Sequence, residues 1–455
     1  MLKKSLAKIK KGLYLKICLI FSLLFFSCLF APKHIFAETF NIAPNDVNDL
    51  ISKLIISNNN NTPDVINLST NSTYLLTTIN NSSYLPTGLP IITSEITING
   101  NNAEIIRDSN SNQFRIFAVK SPGNLILNNL KIIAGYCPDD ALYGGGGIFN
   151  LDGQLILNNV SILNNTALTG GGGGIWIGYE AIASINNSVV SNNSVIGDSS
   201  GGALLKRGNG TVDIYKTTFS DNYAQNNGGA IYTQGPINLI ESKLLNNSSR
   251  NHGGGFFNYN GNVKIIDSEL SGNKVTFPNF GLGGAIANET SGTISIVGST
   301  FSNNTATNNG GFFFNRGKAE ISYSCISSNS SKGLVNESGN PLSAINNYWG
   351  SVAGPSTDDI LGDIIFNPFN TTCALSPTPT PEPTKIPVVV LPGLGGSWNT
   401  AAMISGGTSG SWKKTPFVKV YDNLKATFLT SAGYTEGDNY FEFYYDWRQP
   451  LTTLA

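Results

Sequence analysis

Gly228-Gly229-Ala230-Ile231-Tyr232 is one of seven copies of a short glycine-led segment, and their spacing decides the fold. The first glycines are Gly145, Gly172, Gly201, Gly228, Gly253, Gly283 and Gly310. The copies read GGGIF, GGGIW, GGALL, GGAIY, GGGFF, GGAIA and GGFFF, and successive starts lie 27, 29, 27, 25, 30 and 27 residues apart. A period of this size marks a chain built by stacking one small unit on the next. Most of the chain is then scaffold, so chemistry is confined to special coils or to the part that does not repeat.

Each repeat has one layout. The glycines precede a short apolar stretch such as Ile148-Phe149 or Ile231-Tyr232. A turn follows, as at Leu151-Asp152-Gly153, then a second strand such as Gln154-Leu155-Ile156-Leu157. A third strand is rich in Ser and Thr, as in Thr218-Phe219-Ser220, and ends at Asn165, Asn193, Asn222, Asn247, Asn273, Asn304 or Asn329. Three strands and three turns predict one coil of a right-handed parallel β-helix, an all-β solenoid whose coils rise about 4.8 Å each. Aliphatic ladders are expected to fill its bore. The corner asparagines are expected to bond their copies in the next coil and to adopt left-handed backbone geometry. Glycine is needed where φ turns positive or coils pack closely.

The flanks read differently. Six lysines from Lys3 to Lys16 precede an apolar run, Ile17 to Phe30, and Ala37 precedes Glu38, the pattern of a secretory signal peptide. The run is short for an ordinary membrane span, and an uncleaved anchor is the competing reading. The 28 Lys and Arg less the seven lysines of residues 1–37 leave 21 against 29 Asp and Glu, a net of −8. This balance argues against nucleic acid as a partner. Val47, Leu50, Ile51, Leu54 and Ile55 share one helical face, with Asn45 or Asp46 as cap, and predict a short helix covering the first coil. Irregular early coils follow, with strand-like runs at 65–68, 74–77, 91–98, 104–106, 114–119 and 124–133. Of Cys137, Cys325 and Cys373, the last two flank the end of the repeats; they either clip it shut or remain buried thiols.

The segment from about 85 to 350 resembles the β-helical repeat families of bacterial surface proteins, of the polymorphic-outer-membrane-protein type. The likeness rests on the recurring GGAI/GGGI, as at Gly283-Gly284-Ala285-Ile286, with Ser299-Thr300-Phe301-Ser302-Asn303-Asn304. Asn346-Asn347-Tyr348-Trp349-Gly350 resembles the tail that closes such helices, its aromatic pair covering the open end. β-Helices also host polysaccharide-cleaving enzymes, which need clustered carboxylates. Residues 141–330 hold only ten Asp or Glu and nine Lys or Arg, and Asp139-Asp140 is the one adjacent acidic pair nearby. His252, the only histidine after the leader, sits in NHGGG and is expected at a solvated corner. No metal site and no cofactor are expected. Tyr179, Tyr223, Tyr232 and Tyr259 are candidates for stacking on sugars if exposed.

Residues 376–387, SPTPTPEPTKIP, read as an extended spacer. Beyond it, Ile386 to Ser397 (IPVVVLPGLGGS) reads as a buried parallel strand running into a glycine turn. A helix over 417–432 and a strand at 440–445 complete the start of an α/β unit. This stretch resembles the opening of α/β-hydrolase lipases, most closely the lecithin:cholesterol acyltransferase-like group, through VVVLPGLGGS, Gly433-Tyr434 with Gly437, and FYYDWR. The resemblance implies an oxyanion hole formed at the Gly393-Leu394 turn by the Leu394 N–H, and an acyl site close to Trp447. The structural alternatives are that Leu394 only turns the chain and that Trp447 packs a core. Residues 386–455 contain no Gly-x-Ser-x-Gly and no histidine, so the nucleophile, acid and histidine of a triad are not in this chain. The chain's one match, Gly197-Asp198-Ser199-Ser200-Gly201, lies in the repeats and is expected to be a coil turn.

The domain reading is therefore 1–37 signal peptide, 38–140 cap and irregular first coils, 141–375 repeats and closing segment, 376–387 linker, and 388–455 the amino-terminal fragment of an α/β-hydrolase. Two functions follow. In the first, a secreted or surface-displayed β-helix presents an ester-directed lipase or acyltransferase whose working half lies beyond Ala455, with a lipid or other acyl ester as substrate and the present chain inactive. In the second, the β-helix is itself an adhesin or binds a cell-surface glycan.

Overall fold

The computed structural model describes residues 37–60, 62–84, 86–138, 143–330 and 332–373, with 388–390, 397–398, 413–414, 425 and 440–442. The expected signal peptide and the Asp139-Asp140 pair lie outside the described residues. The chain divides into two compact units, Met1–Thr378 and Pro379–Ala455.

The first unit is a parallel β-solenoid. Among its described residues, four sheets run along the stack, with 13, 10, 10 and six strands. Every pairing between their strands is parallel and joins the same strand of successive coils, as in Leu155↔Ala183 and Ala183↔Val212. That register builds the ladders. Leu127, Leu157, Ile185, Ile214, Leu239, Ile265, Ile296 and Ile321 form one unbroken buried row through the bore. Ile162, Val190, Phe219, Leu244, Leu270 and Phe301 form another. Because inward residues meet their own kind above and below, the apolar interior is continuous without any single large core.

A coil has four strand segments, one more than the repeat layout predicts. The additional pieces are two residues long, such as Thr166–Ala167, Ser194–Val195 and Tyr223–Ala224. Two residues are too short to show a period, so the sequence gives no sign of them. They stack Cys137, Ala167 and Val195 into a small buried cluster of their own.

The corners divide labour between neighbouring residues. The asparagines from Asn165 to Asn329 do form a ladder, but the positive φ falls on the residue before each, at Asn164, Asn192, Asp221, Asn246, Gly272, Asn303 and Ser328. The ladder residue is thereby left free to turn its amide into the stack. The first glycines all have positive φ, for example +65° at Gly228. The second are required by close approach: a Cβ on Gly229 would lie 2.1 Å from the Gly254 oxygen in the next coil.

The entry end is capped by α1, Val47–Asn60. Asp46 Oδ1 accepts the Asp49 N–H at 2.9 Å and sets its start. Leu50 and Leu54 are fully buried against the first coils, while Ile55, expected on the same face, is exposed. The early coils are less irregular than expected, since the strands at Asp64–Asn67, Glu95–Asn99 and Asn124–Asn128 pair in register with those that follow. At the far end Trp349 is buried, with its ring 6.4 Å from Phe312. It does not close the stack, however. Ile360–Gly362 and Ile364–Ile365 add strands beyond it, and a Cys325–Cys373 disulfide ties the final segment back. Those two cysteines are therefore bonded, and Cys137 is buried outside any disulfide, its Sγ hydrogen-bonded to the Tyr143 carbonyl at 3.2 Å.

In the second unit, Val388–Val390 pairs in parallel with Tyr440–Glu442, and Ser397–Trp398 pairs antiparallel with Lys413–Lys414.

Candidate functional site

Among the described residues, the glycine-led sheet buries side chains on both of its faces. In each three-residue strand the first side chain enters the bore, as Ile148, Ile175, Leu204 and Ile231 do. The second faces outward. Register stacks these outward residues as Phe149, Trp176, Leu205, Tyr232, Phe257, Ala287, Phe314 and Val335. Phe149 and Trp176 stack at 4.9 Å, and Tyr232 and Phe257 at 5.4 Å with rings 7° from parallel. The Arg115 guanidinium lies 4.4 Å over Phe149. Such pairs gain from quadrupole and cation attraction beyond the area they bury.

The third strand residue is usually an inward Asn or Thr, but one coil has Lys206. Its ammonium donates to four carbonyl oxygens, of Gly178 at 2.7 Å, Arg207 at 2.6 Å, and Tyr179 and Ala181 at 3.2 Å. Burial pushes its pKa down to about 8. This lysine holds a corner together and does not face the outer surface.

A groove opens on the outer side of the same sheet where the repeat is longest. The 30 residues between Gly253 and Gly283 include a turn that carries Phe277 and Phe280, stacked at 5.6 Å. Phe280 is 64 % exposed, and Arg250 lies 4.7 Å over Phe277. Across from this wall stands Arg316, from the residue after its coil's strand. It contacts Glu289 at 3.6 Å and Glu337 at 3.3 Å, from the coils on either side, and lies 4.8 Å over Phe314. His252 lies between them, bridged in parallel to Asn227 and Leu282, its ring 6.4 Å from Phe257. With Asn251, Leu282, Asn308 and Asn309 these residues enclose about 460 Å³.

His252 is therefore not the solvated corner expected from NHGGG. It is partly buried, and its Nδ1 has no hydrogen-bond partner among the described residues. Desolvation, and then the charge of Arg316, lower its pKa from the ordinary value. A neutral imidazole, three amides, an Arg between two carboxylates and an aromatic wall suit recognition of a polar ligand with apolar faces. Among the described residues, no three His, Cys, Asp or Glu side chains come together to hold a metal.

Of the residues singled out in the sequence, Gly393, Leu394 and Trp447 lie outside the described residues, as does the expected helix apart from Lys425. Gly197 to Gly201 is a turn between coils, as expected, where Asp198 accepts from Asn226 of the next coil at 2.9 Å. Tyr179 and Tyr259 are exposed; Tyr232 stacks against Phe257 and Tyr259 of the next coil, and the Tyr223 hydroxyl donates to Gln225. Phe277, Phe280, Arg316 and Glu337 escaped sequence reasoning. The signal that marks the two phenylalanines is the stretched interval after Gly253, and Arg316 and Glu337 carry no such signal.

The fold and its ladders define a parallel β-solenoid. Comparison with known families agrees: the Chlamydia polymorphic membrane protein repeat matches residues 216–234. That stretch runs from the left-handed corner at Lys216 through the ladder Asn222 to the Ile231–Thr233 strand, about two thirds of a coil. No curated protein and no solved structure matches the chain. No helix among the described residues is long and apolar enough to cross a membrane.

Proposed function

We propose that this chain is a secreted or surface-displayed protein whose β-solenoid presents an ester-directed α/β-hydrolase of the lipase or acyltransferase kind. The solenoid and its matching repeat fit a surface or outer-membrane-associated protein. The observation that carries the finer reading is the parallel pairing of Val388–Val390 with Tyr440–Glu442. Parallel neighbours need a crossover connection, which is the first step of an α/β sheet. In that reading, the Leu394 N–H at the Gly393 turn serves the oxyanion, Trp447 lines the acyl site, and a lipid or other acyl ester is the substrate. The test is the coding sequence downstream of Ala455. A Gly-x-Ser-x-Gly followed by a histidine supports the reading, and a stop or an unrelated segment ends it. Because residues 386–455 hold no Gly-x-Ser-x-Gly and no histidine, purified residues 38–455 should not hydrolyse a short acyl ester; turnover would place the nucleophile within these residues and overturn the reading.

A second reading is favoured by the exposed aromatics Tyr179 and Tyr259 on the outer side of the glycine-led sheet. Here the solenoid itself binds a cell-surface glycan, with no catalysis. Binding of the full chain to a glycan array tests it, and a blank array counts against it.

A further inference from the structure

We infer that the groove walled by Phe277 and Phe280 and crossed by Arg316 is the seat of glycan binding, and that its ligand is a short neutral oligosaccharide. The inference rests on the second reading above and narrows it to one place and one class of sugar. Three observations carry it. First, Phe280 is the most exposed aromatic of the solenoid's described residues, yet it is ordered by stacking on Phe277, which Arg250 holds from behind. A fixed aromatic face in solvent suits the C–H face of a pyranose. Second, Tyr259, Glu289, Arg316 and Glu337 each follow the outer strand on successive coils, so they form a row about 14 Å long at the solenoid rise. The row alternates donors and acceptors, as vicinal hydroxyls require. Asn251, Asn308, Asn309 and the unpartnered His252 Nδ1 add neutral groups beside it. Third, the charge sets the class. Arg316 lies between two carboxylates, and with Arg250 at the Phe277 wall the charges of the groove balance, so it offers no unmatched cation to draw uronic acids or sulfated sugars.

The test is binding of the full chain to immobilised cello-, xylo-, manno- and chito-oligosaccharides, with polygalacturonate as the acidic comparison. Wild type, Phe280→Ala, Arg316→Lys and, as an exposed aromatic outside the groove, Tyr323→Ala are compared, each checked for an unchanged thermal midpoint. The expected result is binding to at least one neutral series, weakened about tenfold or more in Phe280→Ala and Arg316→Lys and unchanged in Tyr323→Ala. Neutral-sugar binding that survives both groove variants would overturn the groove while leaving the solenoid a glycan binder. Binding to polygalacturonate alone would overturn the choice of sugar. No binding to any probe would remove both the groove and the reading it rests on.

Discussion

Asn247 Nδ2 donates to Asn273 Oδ1 at 3.0 Å, one coil further along the stack. The same relation links Asn222 to Asn247 at 2.9 Å and Asn273 to Asn304 at 3.0 Å. Each of these amides also accepts a backbone N–H from the coil before and donates to a carbonyl lining the bore, as Asn247 does to Phe219 at 3.0 Å. All four are fully buried. The row joins one coil to the next through polar groups that would otherwise be stranded in an apolar bore, which makes it a strong determinant of register.

Asn247→Ala should therefore cost more than an ordinary buried hydrogen bond. It strands the Asn222 amide and backbone N–H, the Phe219 carbonyl and one acceptor site of Asn273. The expected loss is about 2–4 kcal/mol, read from the urea midpoint. An unchanged midpoint would mean water takes over the row.

Glycine substitutions should separate strain from collision. Gly339 has φ of +74° and nothing within 4 Å of an added Cβ, so Gly339→Ala should cost about 1 kcal/mol from backbone strain alone. At Gly229 the added carbon meets the Gly254 oxygen, and the coils must part. Gly229→Ala should cost about 3 kcal/mol or more, measured the same way. Equal effects would refute the close-packing account.

Stability should fall in mild acid because of His252. Its folded pKa lies below the ordinary value of 6.5, so between the two the unfolded chain binds more protons. The histidine's contribution is constant above pH 6.5 and is lost as pH drops through the lowered folded value. Wild type compared with His252→Asn across pH 5 to 8 isolates this effect. The difference in urea midpoint between them should change only below about pH 6.5; a pH-independent difference would show that the ring is not desolvated.

Reducing the Cys325–Cys373 disulfide, which closes a 48-residue separation, should remove up to about 4 kcal/mol in the chain-entropy account. The loss should be local. Amide exchange should quicken over residues 360–373 and remain slow at the coil of Ile231–Thr233. Uniform acceleration would show that the solenoid unfolds as one unit.

The main features of the solenoid are legible in residues that do one job at a time. Gly228 and Gly229 mark the turn, Leu239 and Leu244 mark inward ladder positions, and Asn222 marks the buried corner. The two-residue strands were not legible, because Ser194–Val195 carries no periodicity. Nor was the displacement of positive φ from Asn222 to Asp221, since both residue types tolerate that geometry. The pairing of Cys325 with Cys373 stayed open because spacing alone does not bring two thiols together.

The sequence by itself determined the stacking. A period of roughly one coil, repeated seven times, leaves each short strand no better partner than its own copy. The tertiary structure decided which residues share a surface. Arg316, Glu289 and Glu337 are separated by about a coil each in sequence, and His252 and Phe280 by another turn. They meet only because the solenoid rises by one strand spacing per coil, which converts a sequence interval of some 25 residues into a contact between neighbouring side chains.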